Sequence, residues 1–372
     1  MTKIFQKNID YFKKYINVED VIPKIHTFEN EYNKYKEIKS ILIYEASNYA
    51  VDPKVTIAIP TLSRYDILTE LLDVLDGQNG NIRYQIIIVD NCGKQNKEYI
   101  NFVKQLSAYT NICIKYYINE INIGMIGNWN RCVELSRTPF VSFVHDDDLV
   151  DYNYITEINE CLTKLIKRDI KFGIIKVKYK KFSTKKEFDS ITIKSKKHNS
   201  KMIELSHKDL FLIGYPVSNP PTCGMIINKE ALIKCGGFTE CAFPSSDFLL
   251  GFQMFRNNFK IYETNDILGF YRISVNESLR GDIARKFCIM DSFLMSYFGE
   301  LYKSNNFIYN LWYKNWIYSH AKILIREKEI ENIREVDVLE KLNRKFLCKI
   351  EIYAYKIFKK IYEQLMKLRS FY

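Results

Sequence analysis

No two of the nine cysteines form a CxxC pair. A scattered, odd-numbered set of this kind excludes a zinc ribbon and argues against a disulfide framework, so reduced thiols in a cytosolic chain are expected. No apolar run approaches the length needed to span a bilayer. The start, MTKIFQKNIDYFKK, lacks the apolar core of a secretion signal. A GxGxxG fingerprint after the first strand is missing, and so is a GxxxxGK[ST] loop. Those absences speak against a dinucleotide oxidoreductase and a P-loop enzyme. Any phosphate held here would be carried by a metal rather than by a glycine cradle.

Hydrophobic residues make up 47% of the 372 and aromatics 15%, enough for a substantial core in one large or two ordinary domains. The net charge of +11 is uneven. Residues 171–201 contribute +9 and residues 341–372 contribute +7, so the remainder is slightly acidic. Basic character confined to two patches disfavours nucleic acid as a partner, which would want it along a functional groove.

Residues 1–50 are rich in Lys and Glu, with an apolar stripe through Tyr35, Ile38, Leu42 and Ala46 that predicts helix. From Lys54 the pattern becomes β-α alternation. KVTIAIP, YQIIIVD, Ile112–Ile118 and Pro139–His145 are predicted strands, with helices over Tyr65–Leu75, around Tyr99–Leu106, over Asn128–Leu135 and over Asp151–Lys167. This alternation implies an α/β fold, with a mostly parallel sheet covered by helices on both faces. Lys176–Lys201 interleaves Lys with Val, Tyr, Phe and Ile and reads as a β-hairpin with a protective charged edge.

The stretch PFVSFVHDDDLVD organises the chain. A hydrophobic strand ends abruptly in Asp146, Asp147 and Asp148, and three adjacent carboxylates repel one another. A divalent cation with hard oxygen ligands would relieve them. A solvated acidic turn that caps the next helix is the other reading. The first two strands also end in polar groups: Pro60, Thr61, Ser63 and Arg64 after one, Asp90 and Asn91 after the other. In a parallel sheet these ends share one rim. Such a rim suits a nucleotide, with Asp90 and Asn91 at a base edge and the aspartates at a metal diphosphate. Each residue alone is also ordinary turn chemistry. Likewise Ser245, Ser246 and Asp247 in PSSDFLLGF read, from residues alone, as the start of a helix.

Five stretches, in order and spacing, resemble the family 2 glycosyltransferases: VTIAIPTLSRYDILTELLDVL, IIIVDN, NIGMIGNWNRCVELSRTPFVSFVHDDDLV, GMIINKEALIKCGGF and PSSDFLLGFQMFRNN. The resemblance covers about residues 54–275. It implies the GT-A fold for residues 54–280, with a helical extension before it (1–53) and a helical region after it (281–372). It implies that Pro60, Thr61 and Arg64 touch the nucleotide, that Asp90 binds the base, and that Asn122 and Gly124 lie near the nucleotide. Asp146–Asp148 match the metal motif, with Asp146 toward the nucleotide and Asp147 and Asp148 on Mn²⁺ or Mg²⁺. Asp247 matches the catalytic base of an inverting transfer. Arg272 matches a loop that closes over the diphosphate, a surface ion pair being the other reading for it. Three departures stand out: His145 where many relatives carry the first aspartate of the motif, Asn91 in place of an acid or Gly-Ser, and Ser246 in place of Glu before the base.

The resemblance further implies a nucleotide-sugar donor, UDP-linked in most such families, a hexosyl or N-acetylhexosaminyl group, and a glycan or lipid-linked acceptor in polysaccharide synthesis. A sugar nucleotidyltransferase and a non-catalytic nucleotide-sugar or glycan binder are the competing classes. The basic amphipathic tail, 344–369, carries Lys349, Lys356, Lys360 and Lys367 on one line. It suits either the inner face of an anionic membrane or packing on the chain's own body or a second subunit, with Phe287, Phe293, Tyr297, Trp312 and Trp316 as apolar partners.

Overall fold

A computed structural model describes residues 9, 12–27, 29–46, 53–80, 82, 84–93, 98–110, 112–192, 200–207, 209, 222–275, 281–301 and 357. The basic tail, apart from Ile357, and Trp312 and Trp316 lie outside these residues.

Five strands form the first half of the sheet: β1 (Ser40–Glu45), β2 (Val55–Thr61), β3 (Gln85–Asp90), β4 (Cys113–Asn119) and β5 (Phe140–Phe143). Five more follow: β6 (Leu149–Val150), β7 (Phe172–Phe182), β8 (Met202–Leu205), β9 (Met225–Asn228) and β10 (Lys260–Arg272). Their order is β1-β4-β3-β2-β5-β9-β7-β10-β6, with β8 also on β10. The run β4-β3-β2-β5 is parallel, and β7 is parallel to β10. Antiparallel β9 joins the two parallel parts.

Period-2 alternation sends Ile57, Ile59, Ile86 and Ile88 to one face and Ala58, Ile87, Val89 and Val141 to the other. Each fully buried isoleucine contributes about 2 kcal/mol of transfer free energy. A net backbone hydrogen bond contributes about 1 kcal/mol. Face-covering helices therefore hold these strands central more than the ladder does. Helix α2 (Tyr65–Asp76) covers the first face through Leu68, Leu71, Leu72 and Leu75, at helical spacing. It is joined there by α3 (Tyr99–Leu106) and α5 (Tyr154–Lys167). On the second face lie α4 (Gly124–Leu135) and α8 (Ser246–Arg256). Helix α8 is buried nearly all round, which its run Phe248–Met254 allows.

Two predictions about local structure fail. Tyr35–Ala46 is not helical: Ser40–Glu45 is an edge strand antiparallel to β4. SILIYE is rich in β-branched and aromatic residues, and the unpaired edge of β4 supplies a partner that local periodicity does not show. The preceding segment does contain helix α1 (Val18–Thr27) and a short 3₁₀ turn at Glu31–Tyr35. That turn is stitched to α4. Arg131 Nη2 donates to Tyr35 O at 2.8 Å, and its Nη1 to Ile38 O at 2.7 Å and Ser40 Oγ at 2.9 Å. Gly127 has no side chain to collide with the Tyr35 ring, which a Cβ would meet at 2.7 Å.

Nor is Lys176–Lys201 a hairpin. β7 runs inside the sheet, and Lys185–Thr192 is a helix, α6. Lys176 is buried, 3.7 Å from Glu263 on β10, so that lysine pairs with a distant acid instead of guarding an edge. Between β9 and α8 lies the short helix α7 (Lys229–Lys234). The last described helix, α9 (Gly281–Leu301), packs on α8 by stacking Phe298 on Phe252 at 4.0 Å, and meets Phe12 through Phe293 at 5.5 Å. Phe293 and Tyr297 are thus occupied by Phe12 and His26 of the N-terminal segment.

Candidate active site

Because β2, β3 and β5 are parallel, their carboxyl ends form one rim. β2 delivers Thr61 and then Arg64. β5 continues through Val144 and His145 into a turn closed by Asp148 N on His145 O at 3.1 Å. Thr61 Oγ1 donates to Asp146 Oδ2 at 2.6 Å. The Arg64 fork takes both oxygens of Asp146, Nε donating to Oδ2 at 3.1 Å and Nη2 to Oδ1, while Nη1 reaches Asp147 Oδ2 at 3.1 Å. This planar two-point pairing is what a guanidinium offers and an ammonium does not. Burial pushes the Asp146 carboxyl up to about 6, against the pull of Arg64. Pro60 is spared a missing donor, since β2–β5 pairing ends at Ala58–Phe143.

Asp148 is buried, and Arg272 N donates to its Oδ1 at 3.1 Å. Its Oδ2 is buried with no nitrogen or oxygen donor among the described residues. Burial and the Asp147 charge hold its carboxyl well above the ordinary range. Arg272, expected on a closing loop, is buried at the end of β10. Its Nε donates to Asp147 O at 2.8 Å, its Nη2 to Glu70 Oε2 at 2.6 Å, and its guanidinium lies 4.6 Å from the Phe182 ring centre. These contacts make it a brace for the aspartate turn. His145, in place of an aspartate, meets Thr222 Oγ1 through Nε2 at 2.8 Å and lies 5.2 Å from Trp129. Burial lowers its imidazole to about 4, so it is neutral at physiological pH.

Asp90 has a different character. It is fully buried and accepts from Ser63 N at 3.2 Å, Cys92 N at 3.1 Å, and the Tyr65 and Tyr116 hydroxyls at 2.8 Å each. A carboxylate has about four acceptor positions, and all are taken. Ser63 holds φ 55°, a left-handed turn stabilised by this contact. Asn91 is equally committed. Its Nδ2 donates to Asn122 Oδ1 at 2.8 Å and Gly124 O at 3.1 Å, while its Oδ1 accepts from Asn119 Nδ2 at 2.9 Å and Ile123 N at 3.0 Å. Asn119 hands on to Asn128, which donates to Val89 O at 2.9 Å. This asparagine network fixes the entry to α4. Gly124 begins the helix at φ +75° and accepts an orientation that side chains resist.

Thr61, Arg64, Asp146, Asp147, Asp148 and Arg272 thus form one cluster, and Asp90, Asn91, Asn122 and Gly124 a second. Asn91 N on Thr61 O, at 3.0 Å, joins them. Asp247, in the first turn of α8, has no hydrogen bond to either cluster among the described residues; its Oδ1 accepts from Phe248 N at 2.7 Å. Burial pushes its carboxyl up to about 7. Sequence reasoning missed Glu70, Tyr65, Tyr116, Asn119 and Asn128. None carries a local signal, because each acts through a partner remote in the chain.

Among the described residues no group of three or more His, Cys, Asp or Glu side chains is set to enclose a metal ion. An ion at the aspartate turn would therefore take most of its ligands from diphosphate oxygens and water, the usual manner for Mg²⁺. An Asp148 carboxyl met only by a backbone amide and the Cys223 thiol, and Asp146 and Asp147 carboxylates that share one guanidinium, fit such a shared cation.

Residues 56–235 match the family model for Glycosyl transferase family 2. They form a domain of that family, on a sheet of the GT-A class. No curated protein matches the sequence. Among solved structures, S. aureus TarS aligns at 16% identity with a TM-score of 0.45, over 73% of this chain and 49% of that one, so the chain spans about half the length of TarS. TarS 1-349 in complex with UDP-GlcNAc aligns at 16% identity and TM-score 0.45, over 84% and 92% of the two chains. Mannosyltransferase PcManGT from Pyrobaculum calidifontis, in complex with GDP-Man and Mn²⁺, aligns at 11% identity and TM-score 0.48, over 92% and 95%.

Proposed function

We propose that the protein transfers a hexosyl or N-acetylhexosaminyl group from a nucleotide-sugar donor, UDP-linked in the simplest case, to a glycan or lipid-linked acceptor with inversion. The observation that carries this is the convergence of Thr61, Arg64 and Asp146–Asp148 at adjoining strand ends of a family 2 domain.

Asp247 is the base. It accepts the proton of an acceptor hydroxyl, whose oxygen bonds to the anomeric carbon. The bond from that carbon to the diphosphate oxygen breaks, and its electron pair leaves with the diphosphate. A base with a pKa near the working pH combines ionisation with proton affinity, and burial of Asp247 supplies that value. Asp147 and Asp148 would hold Mn²⁺ or Mg²⁺, which supplies Lewis-acid stabilisation of the leaving charge. Arg64 adds a second positive charge at that rim, and Thr61 orients Asp146. Asp90, with no acceptor position to spare, serves by holding Ser63 and Cys92 in place around the nucleotide. The enzyme works in the cytoplasm, and a lipid-linked acceptor would bring it to the inner face of the membrane. No helix among the described residues is long and apolar enough to cross one.

The test is a nucleotide-sugar screen by donor hydrolysis, followed by Asp247→Asn on the active donor. Folded Asp247→Asn with wild-type turnover removes the base. Activity indifferent to EDTA removes the metal.

A further inference from the structure

The turn that carries Asp146–Asp148 is held at two points, and helix α2 supplies both. The helix starts directly after Arg64, whose fork takes Asp146 and reaches Asp147 Oδ2 at 3.1 Å. Six residues on, Glu70 Oε2 accepts from Arg272 Nη2 at 2.6 Å. The Glu70 side chain is 35% exposed. It adjoins the fully buried Leu71, and the fully buried Val74, one turn on, shares its face, so the acid stands at the border of the packed surface. Just beyond α2, Gln78 Nε2 donates to Asp151 O at 2.9 Å and Asn79 N to Tyr152 O at 2.7 Å. Helix and aspartate segment are thus joined from Arg64 to Asn79.

Arg272 passes this anchorage on to the turn. Its Nε donates to Asp147 O at 2.8 Å, and its backbone N to Asp148 Oδ1 at 3.1 Å. Its side chain is nearly buried, with the guanidinium 4.6 Å from the Phe182 ring centre. A guanidinium is planar and rigid, so tying Nη2 to Glu70 also fixes where Nε points. Asp147 is thereby held at its carboxylate by Arg64 and at its carbonyl by Arg272.

From these contacts we propose that Glu70 is a positioning residue for the cation at the aspartate turn. Through Arg272 it fixes the direction of the Asp147 and Asp148 carboxylates, and so sets how tightly the turn holds a divalent metal bound to a nucleoside diphosphate. The inference rests on the metal reading of Asp147 and Asp148 given above. Groups that hold metal ligands orient them, and losing one typically weakens metal binding by about 10- to 100-fold. Glu70 meets Arg272 rather than the aspartates themselves, so its effect passes through the guanidinium.

The test is calorimetric titration of the full-length protein with UDP, GDP, CDP and dTDP, each in Mn²⁺ and in EDTA. The readout is the factor by which Mn²⁺ tightens nucleotide binding. Glu70→Ala is expected to cut that factor roughly tenfold, with the affinity in EDTA and the denaturation midpoint close to wild type. Glu70→Gln, which still reaches Arg272, keeps most of the gain. If Glu70→Ala does not fold, Glu70→Asp decides: it retains the charge but is one methylene shorter, and must lose the gain. A gain that survives loss of the contact overturns the proposal. So does an equal loss of affinity in Mn²⁺ and EDTA, which would make Glu70 part of the scaffold alone. A wild type that binds none of the four more tightly with Mn²⁺ removes the metal reading, and this proposal with it. That result is distinct from a wild-type gain that Glu70→Ala leaves intact.

Discussion

The aspartate turn and the start of α8 bury the same side chain in opposite ways. Asp146 is matched by a two-point guanidinium and a threonine hydroxyl. Asp247 has only the backbone amide of Phe248 among the described residues. Aspartates in the first region are provided with positive charge and suited to gather more of it. The aspartate in the second is short of it and suited to hold a proton. Location relative to arginine, more than burial, separates the two regions.

The comparison breaks most visibly in activity. Asp247→Asn is expected to lower transfer by about 10²- to 10⁴-fold, the usual range for a positioned base. In the wild type, kcat/KM should fall tenfold per pH unit below about 7, as the raised carboxyl regains its proton. A flat profile between pH 5 and 7 would dissolve the distinction between the two regions.

Arg64→Ala comes next. It strands Asp146 without its cation and should cost on the order of 3 kcal/mol in chemical denaturation. Arg64→Ala with Asp146→Asn should recover much of that loss, because the uncompensated charge is gone. If the double variant is no more stable than the single, the fork is not what satisfies Asp146.

A smaller effect sharpens the second region through pH. Folding raises the Asp247 pKa from 3.8 to about 7, so the folded state binds its proton more tightly than the unfolded one. That stability is fully present below pH 3.8 and lost as pH rises through about 7. Asp247→Asn should therefore melt above wild type at pH 8.5, by on the order of 2 kcal/mol, and close to it at pH 4. Equal melting differences at both pH values would count against a raised carboxyl.

Tyr116→Phe is the mildest. Losing one of the four donors to Asp90 should cost about 1 kcal/mol, measurable as a lowered denaturation midpoint. An unchanged midpoint would show that Asp90 is not saturated.

The strands of the parallel run were legible because each is a continuous apolar stretch bounded by turn residues, and the rim followed from their shared direction. The triple aspartate was legible as a site needing positive charge, but not that Arg64 and Arg272 already supply some of it. The place of Ser40–Glu45 was hidden, since an edge strand is decided by its partner. Lys176 misled for a related reason: its acid, Glu263, is 87 residues away in the chain. Asp90 was legible as an acid at a strand end, but the four donors around it were not. Glu70 had no motif at all. Only its contact with Arg272, 202 residues further on, gives it meaning.

The stitching of Arg131 to the carbonyls of Tyr35 and Ile38 bears on how short an active polypeptide can be made. Trimming to the family segment would leave the Arg131 guanidinium with Glu134 but without its carbonyl and serine acceptors, and would also discard Asp247. A shortened chain that keeps these contacts begins upstream of the 3₁₀ turn and extends at least through α8.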